Sequence, residues 1–374
     1  MKGKRKVLVV VNDLKRALEH EWFVTYIDRN SFVIEFLLIN SENSAMDTFL
    51  KNNRVVTHHM RYHGKSDIPK LFFKMFWLFL SRRYDVIHTH LFISSLIGLP
   101  AAWLAGIRTR IMTRHHSDYH HVWFPSAVKY DRFANHFATK IVAISRNVQS
   151  ILVDREGVSP GKVELVYHGI DFSNYVPLEK NSERVVAIRN KYNITPGQKV
   201  IGVVSRFTEW KGVQYIIPAF QELIKIRPDA ILILANASGD FAWKLDEMLK
   251  QLPEKNFRII KFETDIIALF TSFDVFIHVP VSASAEAFGQ IYLESMALKI
   301  PSVFTSSGVL AEYGKDNVNC HIVPFCDSEA IFQKVVYVLD HPEKQIEIMD
   351  NAFNEVRQHF SFDVKIKKFM NLYQ

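Results

Sequence analysis

The chain has 374 residues, of which 48% are hydrophobic and 23% charged, the composition of a globular protein with room for two domains. Its formal net charge of +7 favours acidic partners such as nucleotides or anionic lipids. No nucleic-acid recognition signature accompanies that charge, and two cysteines cannot build a disulfide framework.

The first apolar run, Val7–Val11, is too short for the core of a cleaved signal peptide. No stretch reaches the eighteen or so apolar residues that indicate a membrane-spanning helix. We therefore expect a cytoplasmic protein, either free or attached to the inner face of the cytoplasmic membrane.

Strand-like runs alternate with helix-length segments along almost the whole chain, which predicts parallel α/β sheets. In the first half the predicted strands are Val7–Val11, Phe32–Ile39, Arg54–His58, Val86–His88, Arg108–Thr113, Lys140–Ile144 and Val163–Tyr167. In the second half they are Val200–Val204, Ala230–Leu234, Phe257–Phe262, Val275–Val279, Ser302–Thr305 and Cys320–Val323.

A polar, proline-containing stretch at 171–184 interrupts this alternation and predicts a linker. We therefore expect two Rossmann-like, doubly wound domains at 1–177 and 178–357. Parallel sheets of this kind bind ligands at the carboxyl ends of their strands, so the two domains are expected to face a shared cleft.

The segment Leu71–Leu80 is apolar at nine of ten positions, with Lys70, Lys74, Arg82 and Arg83 around it. A helix of this length, about 15 Å, cannot cross a bilayer. Two interpretations remain open: a core helix that covers the sheet, or a peripheral contact with a membrane.

Two carboxylates, Glu286 and Glu294, flank the start of a predicted helix that follows the buried strand at 275–279. Gly289 between them allows close approach of backbone to a ligand, and free N–H groups at a helix start suit phosphate. Carboxylates on either side suit hydroxyl groups. Phosphate together with hydroxyls describes a nucleotide sugar.

A second motif, Arg206-Phe-Thr-Glu-Trp-Lys211-Gly212, follows the first strand of the second half and precedes a predicted helix at Val213–Ile226. Arginine offers a planar fork of donors and lysine a mobile charge, a combination suited to a diphosphate. Solvated loop charge would explain either residue alone.

Together these segments resemble the Arg-x4-Lys-Gly and Glu-x7-Glu elements of retaining glycosyltransferase family 4, which has the GT-B fold. The resemblance implies that the first domain binds the acceptor and the second binds the nucleotide sugar. It also implies that the C-terminal helix, residues 358–374, packs back on the first domain. It implies that Arg206 and Lys211 bind the diphosphate and that Glu294 binds the ribose hydroxyls. It also implies that Glu286 holds the transferred sugar with the backbone N–H groups of Phe288, Gly289 and Gln290.

Histidines concentrate in the first half, at His88, His90, His115, His116, His120 and His121. Their spacing fits no common metal motif and carboxylates are sparse in the adjacent sequence, so we expect no metal. The family places a histidine beside the transferred sugar; His116 fits that position best and His115 next. The family's glycine-rich first turn is missing, since Asn12–Ala17 contains no glycine.

The predicted function is a retaining, metal-independent transferase that needs no cofactor and moves a hexose from a nucleotide sugar, with UDP favoured over GDP. The expected acceptor is a glycan or a lipid-linked glycan, as in polysaccharide or lipopolysaccharide synthesis. Two alternatives share the architecture: a sugar-nucleotide epimerase and a catalytically silent subunit that binds the nucleotide sugar.

Overall fold

The computed structural model describes residues 3–374 and divides into two compact units. One holds the chain up to Gly169 together with Phe362–Gln374, and the other runs from Ile170 to Ser361. The boundary expected at 177/178 lies within the polar stretch, whereas the chain passes between the units just before that stretch. Met1 and Lys2, which begin the expected first domain, lie outside the described residues.

The first unit is built on a seven-stranded parallel sheet in the order β3-β2-β1-β4-β5-β6-β7. The strands are β1 Arg5–Asn12, β2 Phe32–Ile39, β3 Val56–Met60, β4 Val86–His90, β5 Thr109–Arg114, β6 Lys140–Ala143 and β7 Val163–Leu165. The central strand β1 is buried from Val7 to Asn12, because helices cover both faces of a parallel sheet.

Seven helices connect these strands. They are α1 Leu18–Tyr26, α2 Ala45–Asn52, α3 Ile68–Arg82, α4 Phe92–Leu104, α5 Tyr119–Trp123, α6 Val128–Phe137 and α7 Arg146–Ser150. Helix α4 packs between α3 and α6. The apolar core on this side joins Leu8 and Val10 of the sheet to Met75 of α3 and Ile97 of α4.

The second unit contains a six-stranded parallel sheet in the order β10-β9-β8-β11-β12-β13. Its strands are β8 Lys199–Val204, β9 Ala230–Ala235, β10 Phe257–Ile260, β11 Val275–His278, β12 Ser302–Phe304 and β13 His321–Ile322. In both units the strand order reverses at the middle of the sheet, so the predicted doubly wound α/β class is confirmed.

The helices of this unit are α8 Glu183–Lys191, α9 Val213–Ile226, α10 Ala242–Leu249, α11 Ile266–Thr271, α12 Gln290–Ala297, α13 Leu310–Tyr313, α14 Ser328–Asp340 and α15 Pro342–His359. Helix α9 has the predicted limits, and it buries Ile216, Phe220 and Leu223 against the sheet. This face shows the three- and four-residue spacing of an amphipathic helix.

The last helix, α16 Phe362–Tyr373, belongs to the first unit and packs against α1. Its Tyr373 hydroxyl lies 2.6 Å from Nδ1 of His88, and Phe369 packs against the same imidazole ring. Its Lys365 is 2% exposed and pairs with Glu19 of α1. The helix is therefore anchored by buried polar contacts as well as by apolar packing.

Helix α3 contains the apolar segment Leu71–Leu80 and has two distinct faces. Leu71, Met75 and Phe79 are buried in the core, whereas Phe73, Trp77 and Leu80 are 57%, 62% and 44% exposed. The buried face is that of a core helix, and the exposed face remains to be explained. Within residues 3–374 the helices all fall short of the length and apolar character that a bilayer crossing requires.

Candidate functional site

The loop after β8 carries the first pair of candidate residues. Arg206 is exposed and forms no ion pair with the residues that the structure describes. Lys211 ends a single helical turn at Glu209–Lys211, and Gly212 then caps α9 with a φ of 76°. A β-carbon on Gly212 would overlap the carbonyl oxygen of Val279, so this close approach of loop to strand end requires glycine.

Glu286 lies in the loop between β11 and α12 and collects three polar contacts. The Lys211 ammonium forms an ion pair with its Oε1 atom, and Nε2 of His278 lies 2.8 Å from the same oxygen. Its backbone N–H donates to Oγ of Ser307 at 3.1 Å. These contacts fix the carboxylate where the loop turns into the helix.

The contacts also decide the charge of this carboxylate, which is only 7% exposed. Burial alone would raise the pKa of Glu286. The positive charge of Lys211 and the hydrogen bond with His278 outweigh burial and bring the pKa to about 2. Burial lowers the pKa of His278, so a neutral imidazole faces an ionised Glu286 at neutral pH.

Phe288, Gly289 and Gln290 form the start of α12, with Gly289 as the N-cap residue. The Phe288 side chain is 3% exposed, and its carbonyl accepts from the Val309 N–H at 2.9 Å. Gly289 has a φ of 86°, and a β-carbon there would overlap the ring of Tyr292. Phe288 is therefore held in place both by its side chain in the core and by its carbonyl.

Glu294 lies inside α12, one to two turns beyond Gly289, and accepts a hydrogen bond from the Tyr175 hydroxyl at 3.1 Å. Burial raises the pKa of Glu294 to about 7, although this hydrogen bond acts in the opposite direction. The side chain therefore exists in both protonation states near neutral pH.

His115 and His116 follow β5 in the first unit and belong to two different hydrogen-bond networks. Nε2 of His115 lies 3.0 Å from Nδ1 of His90, and the His115 ring stacks on His168. Nε2 of His116 lies 3.0 Å from Nη1 of Arg114. Burial, followed by the Arg114 charge, lowers the pKa of His116 to about 3, so its imidazole is neutral.

The fold supplies carboxylates that the adjacent sequence lacks. Asp131 of α6 lies 2.6 Å from Nδ1 of His120 and 3.4 Å from Nε2 of His116, a group that has the side chains of a metal site. The Arg114 guanidinium lies 3.3 Å from the same carboxylate. A divalent cation would meet this fixed positive charge, so the donor set fits a metal poorly.

The turn after β1 contains no glycine, although the family that the sequence resembles has a glycine-rich turn there. Asp13 adopts the left-handed conformation, with a φ of 52°, which aspartate tolerates better than most residues. The side chain of Asn12 accepts from the N–H and the hydroxyl of Ser94, at 3.2 and 2.9 Å. The turn is therefore held by side chains.

Thus Lys211 contacts Glu286. The predicted helix-start residues Phe288, Gly289 and Gln290 follow Glu286 closely in the chain. Three residues of this network were missed by the sequence analysis: His278, Ser307 and Tyr175. His278 carried a usable signal, because it is an ionisable residue in an otherwise apolar, fully buried strand. Ser307 and Tyr175 are ordinary loop residues that only the fold brings to the site.

Comparison with known proteins identifies relatives for both units. Residues 186–355 match the family model described as Glycosyl transferases group 1, and residues 34–174 match the model Glycosyltransferase Family 4. A relative named as an uncharacterized glycosyltransferase of Methanocaldococcus jannaschii is 27% identical over 239 residues. The match spans 63% of this chain and 60%, less than two thirds, of that protein.

A second relative is the UDP-Gal:alpha-D-GlcNAc-diphosphoundecaprenol alpha-1,3-galactosyltransferase of Escherichia coli. It is 21% identical, with 81% of this chain and 79% of that protein aligned. Among solved structures, Anabaena Alr3699/HepE in complex with UDP and glucose has a TM-score of 0.84 at 20% identity, covering 98% of this chain and 99% of that one. The structural likeness shows a common fold.

Proposed function

Because this chain belongs to glycosyltransferase family 4 and has the GT-B fold, we propose that it transfers a hexose from a UDP-sugar to a glycan or lipid-linked glycan. In this proposal the anomeric configuration is retained and no metal or cofactor takes part. Of the three functions considered from the sequence, the transferase is the one that the family matches support.

The observation that carries the proposal is the contact of Lys211 and His278 with one carboxylate oxygen of Glu286. In the ligand-free protein Glu286 serves as counter-ion to Lys211. A donor diphosphate would bind the ammonium, and the ionised carboxylate would accept hydrogen bonds from the sugar hydroxyls with its remaining lone pairs. Arg206, exposed and without an ionic partner among residues 3–374, supplies a second cation for the diphosphate.

The reaction requires the bond between the anomeric carbon and the donor phosphate oxygen to break, with the electron pair leaving on UDP. Fixed positive charge from Arg206 and Lys211 on this leaving group lowers the barrier in place of a metal ion. The acceptor hydroxyl attacks the face that UDP vacates, and its proton passes to the departing phosphate oxygen. Retention follows from attack on that same face. We assign His116, or His115, to hydrogen-bonding the transferred sugar.

Glu294 and Tyr175 support a nucleoside at the other end of the donor. A half-buried carboxyl group that accepts from a tyrosine retains lone pairs for the two hydroxyls of a ribose. Bound UDP in a structural neighbour and the UDP-Gal in the name of a sequence relative favour UDP over GDP.

Thermal unfolding with UDP, GDP, ADP and CMP tests the donor class, each nucleotide being measured with chelator and with magnesium. Saturation at about a hundred times Kd should add roughly 2.7 kcal/mol to the free energy of unfolding. We expect UDP alone to stabilise the protein, equally with and without metal. Stabilisation that depends on magnesium would contradict the metal-free site, and stabilisation by GDP alone would contradict UDP.

A peripheral membrane contact through α3 is part of the proposal, because a lipid-linked acceptor must be reached at a bilayer surface. The exposed face of α3 carries Phe73, Trp77 and Leu80. The helix and the residue after it contain four cations, Lys70, Lys74, Arg82 and Arg83, and no acidic residue. Aromatic side chains between cations are typical of helices that lie in the interface of anionic membranes.

The neighbouring helices extend this surface. Trp103 and Leu104 at the end of α4 are 56% and 52% exposed, and Phe133 of α6 is 47% exposed. The rings of Trp103 and Phe133 both pack against Phe137. Each basic residue near an anionic surface contributes about 1 kcal/mol, so electrostatic attraction and apolar burial would act together.

Co-sedimentation with vesicles of anionic or zwitterionic lipid tests this contact. We expect binding to anionic vesicles that weakens at least tenfold in the variant Phe73→Ser/Trp77→Ser. The matched control is Trp243→Ser, because Trp243 is 63% exposed on α10 of the second unit. Equal binding by all three proteins, or none by the wild type, would remove α3 as a membrane contact.

A further inference from the structure

A cavity of about 230 Å³ lies within the first unit, beside the carboxyl ends of β4 and β5. For comparison, a cavity of about 150 Å³ accommodates benzene, so this one has room for a six-membered sugar ring. Its polar wall is formed by Arg114, His115, His116, His120 and Asp131, and its apolar wall includes Leu91, Phe92, Met112, Tyr119 and Ala134.

Among the described residues that line this cavity, Arg114 is the one lysine or arginine, and both of its terminal nitrogens already have hydrogen-bond partners. Its guanidinium contacts both oxygens of Glu156, at 2.8 and 3.1 Å, and Oδ1 of Asn135 at 2.9 Å. It also lies 3.3 Å from Asp131. The carboxylates of Glu156 and Asp131 neutralise the guanidinium charge, so the cavity is poorly suited to an anionic ligand such as a phosphate or a carboxylate.

Asp131 is an acceptor held in its ionised form. Burial opposes ionisation, but the hydrogen bond with His120 and the charge of Arg114 outweigh it and lower the pKa of Asp131. The neutral imidazole of His116 adjoins this carboxylate, and its buried Nδ1 has no hydrogen-bond partner among the described residues. Ionised oxygen beside imidazole nitrogen suits ligand hydroxyl groups, which both donate and accept.

Phe92 adds an aromatic ring to the apolar lining of the cavity. The Phe92 ring packs edge-on against His120, with centroids 5.2 Å apart, so the apolar wall directly adjoins the polar one. Leu91, just before Phe92, has a φ of 68° and a ψ of 172°, a strained conformation for a leucine. Strain of this kind persists where the surrounding structure holds a residue in a required position.

From this arrangement we propose that the cavity binds one neutral pyranose ring of the acceptor glycan. Asp131 and His120 would hydrogen-bond its hydroxyl groups, and Phe92 would pack against its C–H face. The inference rests on the proposed function, since it names the substrate that this pocket takes. The second unit already offers cations for the donor diphosphate, whereas the cavity offers no unpaired cation among its described residues.

Saturation-transfer NMR on the full chain tests this assignment with methyl glycosides of glucose, galactose and N-acetylglucosamine. We expect the ring protons of at least one glycoside to be saturated by the wild type, and the effect to be lost in Phe92→Ala. The control is Phe133→Ala, because Phe133 lies two residues from Asp131 on α6 but is 47% exposed. It should behave as the wild type.

A second variant, His120→Gln, keeps a hydrogen-bonding side chain at residue 120. It provides an independent test in case Phe92→Ala does not fold. In transfer assays with a water-soluble acceptor, either variant should raise the acceptor KM about tenfold and leave the donor KM unchanged. Equal glycoside binding by the wild type and both variants, or a change in donor KM alone, would overturn the inference.

These outcomes differ from failure of the proposed function. If UDP neither stabilises the wild type nor is released from a UDP-sugar, the transferase itself fails. If UDP binding and slow hydrolysis of the UDP-sugar persist in Phe92→Ala while no glycoside binds the wild type, only the acceptor cavity fails.

Discussion

The Tyr175 hydroxyl donates to the Glu294 carboxyl group at 3.1 Å, across 119 residues of sequence. The pKa of Glu294 is nevertheless raised, to about 7, because burial outweighs this single hydrogen bond. Removing the hydroxyl would therefore raise the pKa of Glu294 further and favour the neutral acid.

This shift predicts a pH dependence of stability. An acid with a raised folded-state pKa binds more protons folded than unfolded, so the folded state loses stability as pH rises from about 4.5 to about 7. The loss is at most about 3 kcal/mol, since Glu294 is partly exposed. We expect Glu294→Gln to be less destabilised than the wild type over this range in urea unfolding curves. Parallel pH profiles would contradict the assignment.

Substituting Lys211 tests the donor site. We expect Lys211→Ala to lower kcat by roughly 10²–10³, because it removes a fixed cation from the developing charge of the leaving group. The matched control is Lys225→Ala, since Lys225 also forms an ion pair, with Glu222, but on the exposed surface. The measurement is release of UDP in the presence of acceptor. Near-normal turnover by Lys211→Ala would eliminate the assigned site.

The Glu286 carboxylate gives the opposite pH signature to Glu294. Its folded-state pKa of about 2 is depressed, so it contributes stability above pH 4.5 that is lost as pH falls toward 2. We expect the free energy of unfolding to fall less between pH 5 and pH 2 in Glu286→Gln than in the wild type, as measured by urea unfolding. A larger loss in the variant would show that another carboxylate governs this range.

Gly212 and Gly197 form a matched pair for testing the close approach at the donor loop. Both have positive φ, 76° and 85°, but a β-carbon on Gly197 would meet no atom within 4 Å. We expect Gly197→Ala to cost about 1–2 kcal/mol from backbone strain alone. Gly212→Ala should cost roughly 3–5 kcal/mol, because steric overlap with Val279 is added. Equal losses in thermal unfolding would argue against the overlap.

The buried network beneath the first sheet predicts a non-additive pair. Glu19 joins Lys365 and also lies 2.7 Å from Nδ1 of His168. Lys365→Met should cost roughly 3–5 kcal/mol, because it leaves a carboxylate without its cation. The double variant Lys365→Met/Glu19→Gln should recover part of that loss. Additive free energies of unfolding in urea would show that the two side chains act independently.

The arrangement of strands could be predicted because apolar runs identify buried parallel strands whatever their partners are. The seven and six strands of the two sheets all lie at or next to predicted positions, and α9 has its predicted limits. Local motifs also identified Lys211 and Glu286 as candidates. A glycine and a charged side chain near the end of a strand indicate a ligand-binding loop, and both lie within a few residues of sequence.

Other features depended on contacts between distant residues. The two faces of α3 could not be predicted, because nine of the ten positions at 71–80 are apolar and show no helical period. Only the packing in the fold buries Met75 and exposes Trp77. Asp131 lies 15 residues beyond His116 in the chain, so the sequence near the histidines did not reveal it. Tyr175 and His278 are brought to their carboxylates by the fold of the second unit.

The ion pair of Lys211 with Glu286 occupies the cation that we assign to the donor diphosphate. In the proposed donor complex, a diphosphate that binds Lys211 would weaken the ion pair, and hydroxyl groups of the sugar would add hydrogen bonds to the Glu286 carboxylate. On this exchange, the intact UDP-sugar should bind more tightly than UDP, and the product should leave more readily once the sugar has gone.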